Sequence, residues 1–524
     1  MLKLVLGTSG SGKTTLLYAR IRARAEAGKR SILLVPEQFT SSTEARIYRE
    51  LGDALSGMVE SYSFTSLAEH ILAIEGGAAV QTLTDAGRAV LVRRALEELQ
   101  DNVHYYYRHR RSAAFCQMAA ETIDELKSAG LSGQQLQELA RDCGTESAKL
   151  GELALIFQGY ESLLAGTGMD PADRLELAAD RLEAALARDE LPDFLREREV
   201  FIDEFDTFNA PKKRLMGAML AALPAVTVAL CEDGAPMQPG DLELFSGAKQ
   251  VAAQLRQLAR KNGAQVAAPE LLRRDLRHKD APGLAALTEL LETGSCTPPE
   301  SAPELRLFAA ASREEEARCA AAAIRRLMRQ GVRCGKIAVV CRDISLYRAA
   351  VRYEFRMAEI PLYCDEPTTP EFSAPATAVR ALLALLRGAD MTEQLTVLAK
   401  TGLCALTEPE VCALENYAYT WSPNAAAWRA EFTKSPRGFG DAELTEEDTL
   451  NLTRAENARK KLVTAVDTLR SKVRSANAEQ ISRALYFCLK ELGAEGQQAA
   501  QVEDIRAARG IPAAEEAARE WNVV

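Results

Sequence analysis

The residues best suited to chemistry lie near the start of the chain. Residues 7–14, GTSGSGKT, fit the pattern G-x-x-x-x-G-K-[ST], after an apolar strand-like segment and before a helical one. Glycines let backbone N–H groups close around phosphate oxygens, and the amino end of a helix adds a positive dipole. The alternative is a glycine- and serine-rich turn that matches by chance. The full pattern in this context predicts a phosphate-binding loop formed by Gly7, Thr8, Ser9, Gly10, Ser11, Gly12, Lys13, Thr14 and Thr15.

Two side chains of this loop have distinct expected roles. Lys13 would reach the β- and γ-phosphates of a nucleotide, and the Thr14 hydroxyl would bind Mg²⁺. A second Mg²⁺ anchor usually comes from an acid at the end of a neighbouring parallel strand. The stretch VFIDEFDTFN at residues 200–209 supplies Asp203 and Glu204 after three apolar residues. Alone it is typical of a surface turn, but beside the loop it predicts that Asp203 holds the metal through water and Glu204 polarises the attacking water.

The elements that must position these residues follow from the periodicity of the apolar residues. Apolar residues three and four apart predict helices at about 13–27, through most of 84–190, and again after about 370. Residues 57–72 predict a strand and then a helix capped near Thr65 or Ser66. Strands that alternate with helices favour an α/β fold with a parallel sheet. Short apolar segments predict further strands at residues 2–6, 31–39, 198–205, 225–233, 305–311, 336–343 and 353–367.

The composition argues against several classes of protein. The 524 residues carry a net charge of −10, and no apolar run reaches the roughly 18 residues of a membrane span. The eleven cysteines include no C-x-x-C pair and the four histidines are scattered, which argues against a zinc or disulfide framework. We therefore expect a cytoplasmic protein that does not associate with membranes. The last residues predict a helix without a Gly or Pro stop, which we interpret as a truncated chain.

The spacing of the two anchors leads to a resemblance. About 190 residues separate Lys13 from Asp203, so a helical block is inserted into the first sheet domain. This layout resembles superfamily-one DNA helicases, in which two RecA-like motor domains clamp ATP and each carries a helical insertion. IDEFDTFN is similar to the DEFQDTN block of UvrD-like members. Residues 312–343 resemble the start of their second motor domain, where Arg342 matches the arginine that reaches ATP across the cleft; the alternative is an ordinary surface arginine.

The resemblance implies P-loop RecA-like parallel-sheet motor domains with large helical insertions. Residues 1–75 and 195–300 would form the first motor domain, with the phosphate loop and the acidic pair. Residues 76–194 would form its inserted helical domain. Residues 301–370 would begin the second motor domain, and residues 371–524 would form its helical insertion, cut short at the end of the chain.

A narrower resemblance is to the AddB/RexB subunit of AddAB-type helicase–nucleases. It rests most on LLVPEQFT at residues 33–40 and covers essentially the whole chain, but only the N-terminal portion of such a subunit. It implies a heterodimer with an AddA-type subunit and action on double- and single-stranded DNA. It also implies a role in double-strand break repair by homologous recombination and binding of the Chi sequence. Further similar stretches lie at residues 59–72, 230–263, 337–367 and 385–419.

This sequence departs from the family pattern at several points. The family's C-terminal nuclease domain holds an iron–sulfur cluster, and no Cys group here matches it, so we expect neither in this chain. The chain also lacks the adenine-reading glutamine, the GDxxQSIY block and the blocks that supply a second cross-cleft arginine. Because these parts are missing, we do not expect the chain to unwind DNA on its own. AddB-type subunits often carry Gly where this chain has Glu204. We therefore expect a site that binds ATP with Mg²⁺, in which Glu204 decides whether ATP turns over slowly.

Two stretches are candidate DNA contacts. Gln38, Phe39 and Thr40 in PEQFT occupy the loop that lies beneath the single strand in this fold, where phosphate contacts and stacked aromatics are common. HYYYRHRR at residues 104–111 interleaves aromatic and basic residues. It suits either a nucleic-acid surface or a helix face that packs Tyr inward and leaves Arg in solvent.

Three functions follow from these observations. The first is the B subunit of an ATP-dependent helicase/deoxyribonuclease, with a weak or vestigial motor. The second is a DNA-recognition scaffold that binds ATP without hydrolysing it. The third is a stand-alone P-loop kinase for a small molecule, whose lid and base-binding motifs are not visible and which leaves the second α/β unit unexplained.

Overall fold

The computed structural model of the chain describes residues 1–77, 81–236, 244–364, 372–440 and 443–523. They fall into two compact units, Met1–Phe308 and Ala309–Val524, which we call the first and the second unit. Among the described residues, none of the helices has the length and apolar character that a bilayer crossing requires.

The first unit is built on a six-stranded sheet in which every strand pairing is parallel. The strand order is β3-β2-β4-β5-β1-β6. The α/β fold with a parallel sheet is thus confirmed, although β6 was not predicted. In chain order the strands are β1 (Leu2–Gly7), β2 (Ser31–Leu34), β3 (Val59–Tyr62), β4 (Glu199–Ile202), β5 (Ala225–Cys231) and β6 (Glu270–Leu272).

Twelve α-helices accompany this sheet among the described residues of the first unit. The helices are α1 (Lys13–Glu26), α2 (Thr40–Leu51), α3 (Asp53–Ser56), α4 (Phe64–Glu75), α5 (Asp85–Glu98), α6 (Ala113–Ser128), α7 (Gly133–Ala140), α8 (Ser147–Leu164), α9 (Pro171–Ala187), α10 (Ala210–Ala222), α11 (Ser246–Lys261) and α12 (Pro282–Thr293). Helices α5 to α9, which lie between β3 and β4, make up the helical block predicted at residues 84–190, and that prediction is confirmed.

Helices cover both faces of the sheet, as an all-parallel sheet requires. Alternate strand residues point to opposite faces, so Val5 and Leu33 pack against α1 and α2. Their neighbours Leu4 and Leu34 pack against α4, α9, α10 and α11 on the other face. Helix α9 therefore belongs to the core of the sheet, whereas α5, α6 and α8 enclose a separate core that includes Phe157.

The second unit is helical in its described residues. Its main core surrounds the fully buried Trp428, whose indole N–H donates to the Thr392 hydroxyl at 2.9 Å. A smaller core joins α13 and α14 through Ile324 and Phe355. The helices are α13 (Arg313–Arg329), α14 (Ile344–Met357), α15 (Ala374–Leu386), α16 (Met391–Lys400), α17 (Glu408–Trp421), α18 (Ala425–Arg429), α19 (Glu446–Val473), α20 (Ala478–Leu492), α21 (Ala494–Arg509) and α22 (Ile511–Val523).

The predictions of strands at residues 305–311, 336–343 and 353–367 were wrong for the residues that the structure describes. No strand forms there, and residues 353–357 are the last turns of α14. The segments are apolar, but a strand exists only when a neighbour completes its hydrogen bonds. Nothing in the described part of the chain pairs with them, and Val340 is 90% exposed. Residues 365–367 of the last prediction lie outside the described residues.

The start of α4 also differs from the prediction. Its N-cap is Ser63, one position before the helix, and not Thr65 or Ser66. The Ser63 hydroxyl accepts from the Ser66 N–H at 3.1 Å, and the Ser66 hydroxyl accepts from the Ser63 N–H at 2.8 Å. This reciprocal capping box fixes the turn between β3 and α4 at the carboxyl edge of the sheet.

We expect Ser63→Ala to loosen this turn. Loss of an N-cap costs about 1 kcal/mol, so the Ser66 amide should exchange its hydrogen roughly fivefold faster in hydrogen-exchange mass spectrometry of the full chain. Ser56→Ala, at a half-buried serine of the neighbouring α3, is the matched control. Unchanged exchange at Ser66 would show that the capping bond contributes nothing.

Candidate functional site at the carboxyl edge of the sheet

The phosphate-loop sequence connects the end of β1 to the start of α1, the position that its pattern predicts. Gly12 is the N-cap of α1 with φ +90°, a conformation that costs glycine little and other residues more. A Cβ on Gly7 would lie 2.8 Å from the Leu272 carbonyl of β6, so any larger residue would displace that strand. The glycines thus let the loop turn tightly and pack closely, which leaves its backbone free to approach phosphate oxygens.

The Lys13 side chain lies over the loop itself. Its ammonium donates to the carbonyls of Gly7 at 2.7 Å and Thr8 at 2.8 Å. Burial is the main cause that lowers the pKa of Lys13, while the nearby Cys231 thiol and Asp203 carboxyl oppose that shift. A half-buried cation held by carbonyl oxygens would gain from an anionic group bound beside it.

Asp203 lies directly after β4. Its N–H donates to the Leu34 carbonyl of β2 at 3.1 Å, which extends the hydrogen bonding between β4 and β2 by one residue. Its side chain is buried. Burial raises the pKa of the Asp203 carboxyl, whereas hydrogen bonds from the Thr14 hydroxyl and the Glu204 N–H favour the ionised form. A hydroxyl and a carboxylate in hydrogen-bond contact are the kind of oxygen ligands that Mg²⁺ prefers. These two residues therefore fit the predicted metal site.

Glu204 has an unusual backbone. Its φ is +64°, in the left-handed region that favours glycine. The N–H donates to Asp203 Oδ1 at 3.0 Å, and the side chain is exposed. Partial desolvation, followed by the charge of Asp203, raises the pKa of the Glu204 carboxyl. The positive φ thus belongs to a tight turn that keeps both acids at the end of β4.

One cleft brings five of the predicted residues together. It has a volume of about 590 Å³, and Thr14, Asp203 and Glu204 line it together with Gln38 and Phe39. Of the remaining predicted residues, Thr40 begins α2, but its side chain lies outside the described residues. Arg342 belongs to the second unit, where its side chain is exposed just before α14. Its role in a nucleotide site stays a prediction.

The sequence reasoning missed a segment that crosses the phosphate loop. After β6, the Leu276 N–H donates to the Gly10 carbonyl at 2.9 Å, and Arg277 Nη1 donates to the Ser9 hydroxyl at 3.2 Å. The Arg277 cation is close enough to contribute to the lowered pKa of Lys13. The basic run LLRRDLRH is the signal that could have indicated this segment, because a basic cluster after a strand suits an anion site.

A second, smaller cavity of about 320 Å³ lies at the ends of β2, β3 and β4 and reaches the inserted helices. Gln38 lines it as well as the first cleft, and Thr65, Asn209 and Lys212 add polar groups. Its floor includes the rings of Phe64 and Phe205, whose centroids are 5.2 Å apart, and the Lys212 ammonium lies 5.5 Å from the Phe205 centroid. One cation, two carboxylates (Glu37 and Asp124), amides and aromatic rings thus line one cavity.

The fold and the site together define an α/β protein with a glycine-rich phosphate-loop motif and a buried aspartate at the carboxyl edge of a parallel sheet. A family model described as ADDB, N-terminal, matches residues 4–288, more than half of the chain. The chain therefore belongs to the AddB family, and the resemblance found in the sequence is confirmed.

Individual relatives agree with this assignment. A Moorella thermoacetica protein, named as the B subunit of an ATP-dependent helicase/deoxyribonuclease, is 30% identical over 545 residues, which cover 99% of this chain and 46% of that protein. A Desulforudis audaxviator protein of the same name is 29% identical over 552 residues, with 100% of this chain and 46% of that protein covered. The chain thus spans less than half the length of these curated relatives.

We expect the backbone conformation of Glu204 to reverse the usual order of stability, in which an Ala variant is more stable than a Gly variant. Because φ is positive, Glu204→Gly should be more stable than Glu204→Ala by about 1 kcal/mol, measured by calorimetry of the full chain. At the neighbouring exposed Asp206, which lacks a positive φ, the Ala variant should be the more stable one. The same order at both positions would refute the strain at Glu204.

Proposed function

We propose that this chain is the N-terminal, helicase-like portion of the B subunit of an ATP-dependent helicase/deoxyribonuclease. In this role it acts in double-strand break repair by homologous recombination, with a weak motor and a part in Chi recognition. The observation that carries the proposal is the meeting of Lys13, Thr14 and Asp203 at one edge of a parallel sheet. The names of the relatives and the family match support the rest of the assignment.

The residues of the cleft and of the adjacent phosphate loop fit ATP and Mg²⁺. Bound Mg²⁺ would neutralise charge on the β- and γ-phosphates, and Thr14 and Asp203 are the residues that would hold it. Lys13 would exchange its two carbonyl acceptors for phosphate oxygens, and Arg277 would add a second cation above the loop. Glu204, exposed in the same cleft, would orient the attacking water and accept its proton.

The topology supports a RecA-like motor domain in the first unit. The chain leaves β1 towards α1 on one face and leaves β5 towards α11 on the other, although β1 and β5 are neighbours. In open parallel sheets, ligands bind where adjacent connections diverge in this way. In this proposal residues 1–75 and 195–300 form the first motor domain and residues 76–194 its insertion.

The remainder of the chain completes the proposed organisation. Residues 301–370 begin the second motor domain and residues 371–524 form its helical insertion. Arg342 would then reach ATP from that second domain. An AddA-type subunit would be the partner in a cytoplasmic heterodimer, since the relatives are themselves named as one subunit of an enzyme.

The second cavity supports binding of a DNA strand. Gln38 lines both the second cavity and the nucleotide cleft, so a change at the phosphates could be transmitted to DNA through the segment that also carries Phe39 and Thr40. Lys212, which is half-buried, supplies a cation for a phosphate. This arrangement supports DNA as the substrate class and not a small molecule.

The non-hydrolysing scaffold remains the second candidate, because one observation favours it. Glu204 has a backbone conformation that glycine adopts without strain, and a glycine there would remove the acid. Unchanged ATPase activity of the complex after Glu204→Gln would support the scaffold, whereas a loss would support the motor.

We expect Lys13→Ala to weaken binding of ATP with Mg²⁺ by the full chain by roughly ten- to hundredfold, since a charge-assisted contact is lost. Arg277→Ala should weaken it about three- to tenfold, because its guanidinium is exposed and screened. Isothermal titration calorimetry measures both constants, with Arg274→Ala, an exposed neighbour, as the control. ATP affinity that is unchanged in Lys13→Ala would refute a phosphate-loop site.

For DNA, we expect Lys212→Ala to weaken binding of a single strand and to lower the salt dependence by about one phosphate contact, a slope change of about 0.7. Lys213→Ala, at the next lysine, is the control because Lys213 does not line the cavity. Fluorescence anisotropy with the full chain at several salt concentrations gives both quantities. Equal behaviour of the two variants would rule out this cavity as the DNA site.

A further inference from the structure

The segment HYYYRHRR, residues 104–111, forms a loop between α5 and α6, which we call the Tyr–Arg loop. It holds three Arg, two His and three Tyr and no acidic residue. The structure gives it turns and no helix, so the interpretation as a helix face is wrong. Neither of the two cavities of the candidate site is lined by any residue of this loop.

Buried groups hold the backbone of the loop. The carboxylate of the buried Glu152 accepts from the N–H groups of His104 at 2.7 Å, Tyr105 at 2.6 Å and Tyr106 at 3.1 Å. The ring of Tyr106 packs against Phe115 with 5.0 Å between centroids. One carboxylate that binds three successive amides, together with this ring packing, fixes the loop in one conformation. Its outward side chains are therefore positioned before any ligand arrives.

The outward side chains are aromatic and cationic. Tyr105 is 58% exposed and Tyr107 is 51% exposed. The Arg110 guanidinium lies 3.6 Å from the centroid of the Tyr107 ring and covers one of its faces. Arg108 and Arg111 are exposed, and neither forms an ion pair with any residue in the described part of the chain. The loop thus presents two exposed cations, which no carboxylate among the described residues pairs with, beside the exposed ring of Tyr105.

We propose that the Tyr–Arg loop is a second DNA contact of the first unit and binds an unpaired stretch of the strand. Arg108 and Arg111 bind phosphates, and Tyr105 stacks on a base. Aromatic platforms beside cations recognise single strands because every base offers a face, which a duplex hides. This inference rests on the proposed function only in taking DNA as the ligand. The residues of the loop are separate from those that line the nucleotide cleft.

The test is fluorescence anisotropy of the full chain with labelled oligodeoxythymidine, which remains unpaired, and with a duplex of equal length. The double variant Arg108→Ala/Arg111→Ala should bind the single strand at least about tenfold more weakly, and its salt slope should fall by about 1.4. Tyr105→Ala should weaken binding roughly five- to hundredfold, and Tyr105→Phe less than about twofold, because stacking needs only the ring. Arg93→Ala/Arg94→Ala, on exposed arginines of α5, is the matched control.

Several outcomes would overturn the inference. They are an unchanged salt slope in the loop variant, an equal loss in the α5 control, and equal losses for duplex and single strand in Tyr105→Ala. If Lys212→Ala loses affinity and the loop variant does not, the loop is excluded and the second cavity stands as the DNA site. The reverse result excludes the second cavity as the DNA site and supports the loop. Photocrosslinking of iodouracil-substituted DNA to Tyr105 gives a direct confirmation, and crosslinks confined to other residues would contradict it.

Discussion

The parallel pairing of β1 with β5 and of β5 with β4 is the constraint on which the candidate site depends. Parallel strands end at the same edge, so whatever follows each of them meets there. Lys13 follows β1, Asp203 follows β4 and Arg277 follows β6, although nearly the whole first unit separates them in sequence. Helices on both faces exclude water from the strands, and the hydrogen bonds that align the strands therefore persist.

The parts of the site that the sequence predicted are those in which a local pattern carries the chemistry. The phosphate loop is continuous in sequence, and Asp203 ends an apolar strand, so both could be recognised without knowing their neighbours. The basic run around Arg277 was visible in the sequence, but its position beside the loop was not. That position depends on β6, a three-residue strand at the edge of the sheet that is too short to show a periodic pattern. The prediction misplaced the N-cap of α4 because Ser63 and Ser66 each accept a hydrogen bond from the N–H of the other. Either serine could have been the residue that precedes the helix.

The failed strands of the second unit show the limit of the same reasoning. Periodicity reports which residues could line a sheet, but a partner strand decides whether a sheet forms. Residues 337–340 have the apolar character of a buried strand and are nevertheless unpaired in the described structure. The prediction of a helix face for the Tyr–Arg loop failed for the opposite reason. The spacing of its residues allowed a helix, but three of its backbone N–H groups donate to the buried Glu152 carboxylate instead of to helix carbonyls.

The positive φ of Glu204 makes an exchange between Glu and Gly at this position asymmetric in its cost to the backbone. Every glutamate codon becomes a glycine codon through a single base change, and that change removes the acid while it relaxes the backbone. Loss of the acid therefore takes a single base change and costs the backbone nothing. The reverse change also takes a single base change but must restore a strained turn. Where nucleotide binding alone is required, glycine is thus the residue that this turn accommodates most easily.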